Sequence, residues 1–182
     1  AFKKRPQDLR RVFFAKERSV DLREVKKWCQ FRKLPYRELD NDSLKKTADS
    51  VHHEGLVMVM CPAQLVSVHQ LLKKGLSKDA ILVALDRVGN THNVGAILRS
   101  CAYFSAKGLV MTLEEGQAMI TPSTARTAEG ALETVPLYNC TDLSSALRDL
   151  KAGNEETLIL GAEPNGRRSL FDTNVSFPCV IV

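Results

Sequence analysis

Five side chains within fourteen residues could do chemistry together: Asp86, Asn90, His92, Asn93 and Arg99. They carry a carboxylate, two amides, an imidazole and a guanidinium, enough to orient a substrate, move a proton and hold a phosphate. The residues around them supply a frame. Residues 81–85, Ile-Leu-Val-Ala-Leu, are an unbroken apolar run, the pattern of a strand covered on both faces. Residues 86–93 are polar and rich in turn formers. From Val94 the period changes, and Val94, Ile97, Leu98, Cys101 and Ala102 fall on one helical stripe. Asn93 is expected to be the N-cap of that helix. Arg99 lies one position off the stripe, so its head group is expected to face the loop. Strand, polar loop and helix form the unit in which α/β proteins usually place their chemistry.

The run Asp86-x-x-x-Asn90-x-His92-Asn93-x-Gly95-Ala96-x-x-Arg99 resembles the first motif of the SpoU (TrmH-like) RNA 2′-O-methyltransferases of the SPOUT superfamily. The resemblance implies transfer of a methyl group from S-adenosylmethionine to a ribose 2′-hydroxyl in tRNA or rRNA. It implies catalytic roles for Arg99 and Asn93, with Asn93 fixing the loop and the Arg99 rotamer. It also implies a homodimer formed through the catalytic domain. A later segment, Ala128-Glu129-Gly130-Ala131, is similar to a small-residue stretch that follows the family's second strand, with Glu129 at a position that is usually small.

The elements that position these residues follow from the rest of the chain. Its 182 residues, 44% hydrophobic and 26% charged, suit one ordinary domain or two small ones around a buried core. No apolar segment approaches membrane-spanning length. The five cysteines are widely spaced, without a C-x-x-C pair, and four sit among apolar residues, so a cytosolic protein without disulfides is expected. Adjacent His52 and His53 point to opposite faces of an extended chain, with no cysteine or aspartate at ligand spacing, and no metal is expected.

Charge is unevenly shared. Residues 1–79 hold 18 Lys/Arg against 10 Asp/Glu, a net +8, while residues 80–182 hold 8 against 11, a net −3. The first part is therefore expected to face a polyanion, with Lys3, Lys4, Arg5, Arg10 and Arg11 as its RNA contacts.

The expected organisation is α/β throughout. Residues 1–62 form a small substrate-binding domain in the order strand (9–14), helix (19–33), edge strand (35–39), helix (44–48), strand (56–60). This order is similar to the domain that precedes the catalytic domain in many SpoU members, where a His-Gln-Gly stands in place of His53-Glu54-Gly55. Residues 63–79 are expected as a linker helix. Residues 80–182 are expected as a parallel-sheet domain of the SPOUT trefoil-knot type, with strands at 81–85, 109–111, 135–137, 157–161 and 179–182.

Gly161-Ala162-Glu163-Pro164-Asn165-Gly166 has the outline Gly-x-Glu-x-x-Gly of the second family motif. Residues 177–182 look like the strand that should precede that motif, and Pro164 stiffens the loop, so Glu163 is read as a mimic. The true motif and the residues that bind cofactor are then expected after Val182, and the domain as incomplete at its C-terminus. An RNA-binding module or an inactive methyltransferase homologue is the rival reading. An unrelated nucleotide-binding α/β enzyme ranks last, since neither G-x-G-x-x-G nor G-x-x-x-x-G-K-[ST] occurs.

Overall fold

The computed structural model describes residues 1–163 and 165–182. The reading of Pro164 thus lies outside the described residues. The chain divides into two compact units, Ala1–Pro62 and Ala63–Val182.

The first unit runs β1 (Leu9–Phe14), α1 (Arg23–Phe31), β2 (Tyr36–Glu38), α2 (Asn41–Ala48) and β3 (Leu56–Met60). Its sheet has the order β2-β1-β3, with β2 parallel and β3 antiparallel to β1. Leu9, Val12, Phe14, Leu22, Val25 and Cys29 form its core. Helix α1 begins at Arg23 rather than at residue 19, since residues 19–22 form turns that follow the 3-10 turn Lys16–Arg18. Strand β2 is an edge strand, as Pro35 ahead of it suggests. Asp40 caps α2 by accepting from the Ser43 amide at 2.8 Å, which holds its carboxyl below the ordinary carboxylate range.

A register shift between Leu9 and Arg11 bulges β1. Strict alternation would bury one of two neighbouring arginines, whereas the bulge leaves Arg10 and Arg11 both exposed and Leu9 and Val12 both buried.

The second unit is a six-stranded, all-parallel sheet of order β4-β7-β6-β5-β9-β8. In chain order its elements are β4 (Val66–Ser67), α3 (Val68–Lys74), β5 (Ile81–Leu85), α4 (Thr91–Tyr103), β6 (Gly108–Thr112), α5 (Pro122–Thr127), β7 (Leu137–Cys140), α6 (Leu143–Gly153), β8 (Leu158–Leu160) and β9 (Cys179–Ile181). Residues 63–79 do more than link. Val66 pairs with Tyr138 at the edge of the sheet, and Val68 and Leu71 are buried in this unit's core. The third long strand starts at Leu137 rather than at Val135, because Pro136 has no N–H to give the ladder; its carbonyl accepts from Leu109 instead.

Cores form on both faces of the sheet. Leu85, Val94, Leu98, Leu109 and Met111 pack on the side of α4 and α5, and Leu82, Ala84, Val110, Ala146 and Val180 on the side of α3 and α6. This double covering explains the unbroken apolar runs of β5 and β6. Fully burying Val94 and Leu98 contributes about 1.5–3 kcal/mol each, which anchors α4 on β5.

Candidate active site

The site is built where α4 meets α5. The N-cap of α4 is Asn90, not Asn93. Asn90 Oδ1 accepts from the His92 amide at 2.8 Å and the Asn93 amide at 3.3 Å, so the helix starts three residues earlier than expected. Asn93 sits exposed in the first turn, and among the described residues no hydrogen bond joins its side chain to Arg99. The expectation that Asn93 sets the Arg99 rotamer is therefore not met.

That task falls to Glu129. Arg99 Nη1 donates to Glu129 Oε1 at 2.9 Å, with both side chains more than half exposed. Glu129 adopts a left-handed conformation, φ 47°, and Gly130 follows at φ 92°. The two turn the chain out of α5 and aim the carboxylate back at α4. A non-glycine residue held there costs about 1 kcal/mol or more, a strain that often accompanies function.

The helices can approach this closely because Gly95 lies at their crossing. A Cβ on Gly95 would stand 2.6 Å from Thr127 Cβ and 2.8 Å from the Thr124 carbonyl oxygen. One turn earlier, His92 Nδ1 lies 3.1 Å from Thr127 Oγ1 and His92 Nε2 lies 3.3 Å from Ser123 Oγ. Thr127 spends its single hydroxyl proton on the Ser123 carbonyl at 3.1 Å. Thr127 Oγ1 then accepts from His92 Nδ1–H, and Nε2 is the ring nitrogen that meets the Ser123 hydroxyl. Helix α5 itself is fixed by a capping box between Thr121 and Thr124.

The loop after β5 is buttressed from the side. Gln117 Oε1 accepts from the Val88 amide at 3.1 Å, and Gln117 Nε2 donates to the Val88 carbonyl at 3.2 Å. Gln117 is buried, so a side chain twenty-nine residues away fixes the loop ahead of Asn90. Neither Gln117 nor the Ser123–His92–Thr127 chain is foreshadowed by a local sequence signal. Glu129 is marked only as a departure from the small residue usual there.

The expected RNA contacts divide. Lys3, Lys4, Arg10 and Arg11 are exposed, and Arg10 Nε lies 3.1 Å from Cys61 Sγ. Arg5 is half-buried and structural, with Nη1 donating to Asp8 Oδ2 at 2.9 Å and to the Cys61 carbonyl at 3.3 Å. In the loop 53–55, Glu54 and Gly55 take φ of 48° and 73°, and the Gly55 carbonyl accepts from the Ala15 amide at 2.8 Å. That turn needs left-handed backbone, which Gly55 supplies without strain. Among the described residues no cluster of His, Cys, Asp or Glu could hold a metal ion, and His53 Nδ1 instead accepts from the Gly55 amide.

Comparison with known proteins agrees with this architecture. Residues 80–182 match the SpoU rRNA Methylase family, and residues 1–66 match the family described as RNA 2′-O ribose methyltransferase substrate binding. A relative from Escherichia coli O157:H7, named Uncharacterized tRNA/rRNA methyltransferase YfiF, is 28% identical over the whole chain, which spans 51% of it. The 23S rRNA (guanosine-2′-O-)-methyltransferase RlmB of Haemophilus influenzae is 28% identical over 79% of the chain and 58% of its own length. The chain thus spans about half the length of the curated relatives it matches.

Among solved structures, an rRNA methyltransferase from Sinorhizobium meliloti superposes with a TM-score of 0.76 at 15% identity, over 96% of this chain and 62% of that one. The SpoU methyltransferase AviRb of Streptomyces viridochromogenes, in complex with the cofactor AdoMet, gives 0.64 at 19% identity, over 95% and 64%. At those identities the likeness is one of fold. The family match covers more than half the chain and includes the strand, loop and helix that carry Asn90, His92, Asn93 and Arg99, and so the chain belongs to the SpoU rRNA methylase family.

Proposed function

We propose that the protein transfers a methyl group from S-adenosylmethionine to a ribose 2′-hydroxyl of a tRNA or an rRNA, with residues 1–62 gripping the RNA and residues 80–182 carrying the chemistry. The observation that carries this reading is Arg99 presented at the solvent face of α4 with one N–H held by Glu129. A guanidinium has five N–H donors in a rigid fork, so the pairing leaves others to hold the phosphate beside a target ribose. Fixing that phosphate fixes the neighbouring 2′-oxygen, and alignment of this kind supplies much of the acceleration in a transfer reaction. Asn93, exposed in the first turn of the same helix, is a second polar contact for the RNA backbone.

The bound cofactor would supply an electrophilic methyl group on a sulfonium. The sheet offers a place for it. Successive strands leave β5 in both directions, toward β6 and toward β9, and ligands of parallel sheets bind beyond the carboxyl ends at such a switch point. The loop after β5 and residues 161–163 after β8 flank that point on either side of β9, about 10 Å apart at two strand spacings. Residues 161–163 are exposed there. In this reading these residues border the adenosyl ligand, in addition to the cofactor-binding residues expected after Val182. In the same proposal the protein works as a homodimer through the catalytic domain, in the cytoplasm and without a metal.

The Arg99–Glu129 pair also favours a second reading. A carboxylate against the one arginine of the motif partly neutralises it, as an RNA-binding homologue without catalysis would tolerate. Arg99→Ala separates the two. Loss of methyl transfer with retained RNA binding and an unchanged melting temperature supports catalysis. An untouched transfer rate removes Arg99 from the mechanism.

A further inference from the structure

Helix α1 carries an outward face whose chemistry the proposed site does not use. Its inner stripe is Val25 and Cys29, both buried. Its last residue, Phe31, is 79% exposed. The Phe31 ring lies 6.3 Å from Trp28 at an interplanar angle of 47°. Trp28 is backed edge-on by Phe2 at 6.3 Å and covered by the Arg32 guanidinium at 5.7 Å. The aromatic pair is therefore held from behind, while the Phe31 ring is left in solvent.

The surrounding charge is mostly positive, Glu24 in the first turn being the one acid on the helix. Arg23, Lys27, Arg32 and Lys33 are exposed, and among the described residues none has a carboxylate within ion-pair distance. Lys27 precedes Phe31 by one helical turn, and Lys33 turns the chain at φ 53° just past it. Lys26 differs, being engaged by the Ser19 carbonyl and lying 4.7 Å from the Phe14 ring. A single exposed ring bordered by unpaired cations is not an apolar patch of the kind a protein partner covers. It fits a ligand that brings a flat π face and negative charge together, which is a nucleotide whose base is free to stack. A duplex hides its base faces and could use only the cations.

We propose that the Phe31 face of α1 is a stacking platform for an unpaired base of the RNA substrate, with Lys27, Arg32 and Lys33 meeting the flanking phosphates. This rests on the RNA reading above and deepens it, since it directs the first unit to a loop, bulge or single-stranded end.

Trp28 is the sole tryptophan, so its fluorescence reports on this surface alone. The chain is titrated with an unstructured RNA oligonucleotide and with a blunt duplex at the same salt. The single strand should perturb Trp28 emission. Phe31→Ala should weaken single-strand binding roughly tenfold, leave duplex binding within about twofold, and leave the circular dichroism unchanged. Phe31→Tyr should keep parental affinity. The platform is overturned if Phe31→Ala binds the single strand as the parent does, or loses both RNAs equally. It is also overturned if Phe31→Ala alters only the oligomeric state seen by sedimentation, which would make the ring a protein contact. Methyl transfer by the parent is measured separately. A parent that binds the single strand but methylates nothing defeats the enzymatic reading and leaves the platform standing. Unimpaired single-strand binding by Phe31→Ala in a chain that does methylate defeats the platform alone.

Discussion

Gly95→Ala should destabilise the second unit even though alanine is the better helix former. In an open helix the exchange gains about 1 kcal/mol. Here the new Cβ would stand 2.6 Å from Thr127 Cβ and 2.8 Å from the Thr124 carbonyl oxygen, atoms that no rotamer change can move. Ordinary contact begins near 3.4 Å, so α4 and α5 must part by about 0.8 Å, the difference between 3.4 and 2.6 Å. Overpacking of this kind costs about 1–3 kcal/mol, and against rigid atoms the upper figure applies. The net loss is then about 2 kcal/mol, or about 4–8 °C in melting temperature for a chain of this size. Far-UV circular dichroism during thermal and urea unfolding measures it. The same parting lengthens the Arg99–Glu129 and His92–Ser123 contacts, so methyl transfer should fall further than stability alone explains. A Gly95→Ala protein as stable as the parent would show that the crossing is looser than described and refute the reasoning.

Glu129→Gly should relieve the left-handed strain and raise stability by about 1 kcal/mol while lowering methyl transfer, since Arg99 loses its anchor; a destabilised Gly variant would mean the strain is absent. Replacing Arg10 and Arg11 together by alanine should reduce the slope of log affinity against log salt by about 1.4 on a single-stranded RNA, as expected for two lost phosphate contacts. Arg5→Ala should instead lower stability through its lost bonds to Asp8 and Cys61, and equal slopes for the two variants would contradict the division drawn here. Burial pushes the Cys101 thiol up to about 11. The unfolded chain then ionises first as pH rises, so stability is intact below about pH 9 and declines toward pH 11, by about 2–3 kcal/mol in all. Cys101→Ser should lessen that decline without abolishing it, since burial also raises Cys29, Cys140 and Cys179, and a parental profile that stays level above pH 9 would refute the assignment.

Much of the second unit was legible because its strands are covered on both faces. The runs 81–85, 109–111 and 179–182 read as strands from their apolar residues alone, within a residue at each end of the strands observed. Legibility failed where a distant partner or a neighbouring choice decides. Asn90 and Asn93 both suit a cap by residue type, and the earlier one wins because its side chain reaches two free amides. Pro136 delays β7, and the polar Tyr138-Asn139 hides the strand's continuation. Arg10 and Arg11 are both expected to contact RNA, and the bulge that lets both reach solvent is not visible in the sequence. At the candidate site, Arg99 was found from its place in the motif, but its partner Glu129 lies thirty residues on and was visible only as an unusual residue. Ser123 and Thr127 carry ordinary helix-start chemistry, and nothing in sequence ties them to His92.

The central claim, ribose 2′-O-methylation guided by Arg99, is tested most directly in the cell of origin. Sites of 2′-O-methylation across tRNA and rRNA are mapped with the gene present, deleted, and restored as parent or as Arg99→Ala. The account predicts that at least one ribose methylation disappears on deletion, returns with the parent gene, and does not return with Arg99→Ala. An unchanged map, restoration by Arg99→Ala, or loss of a methyl group carried on a base instead of a ribose would contradict it.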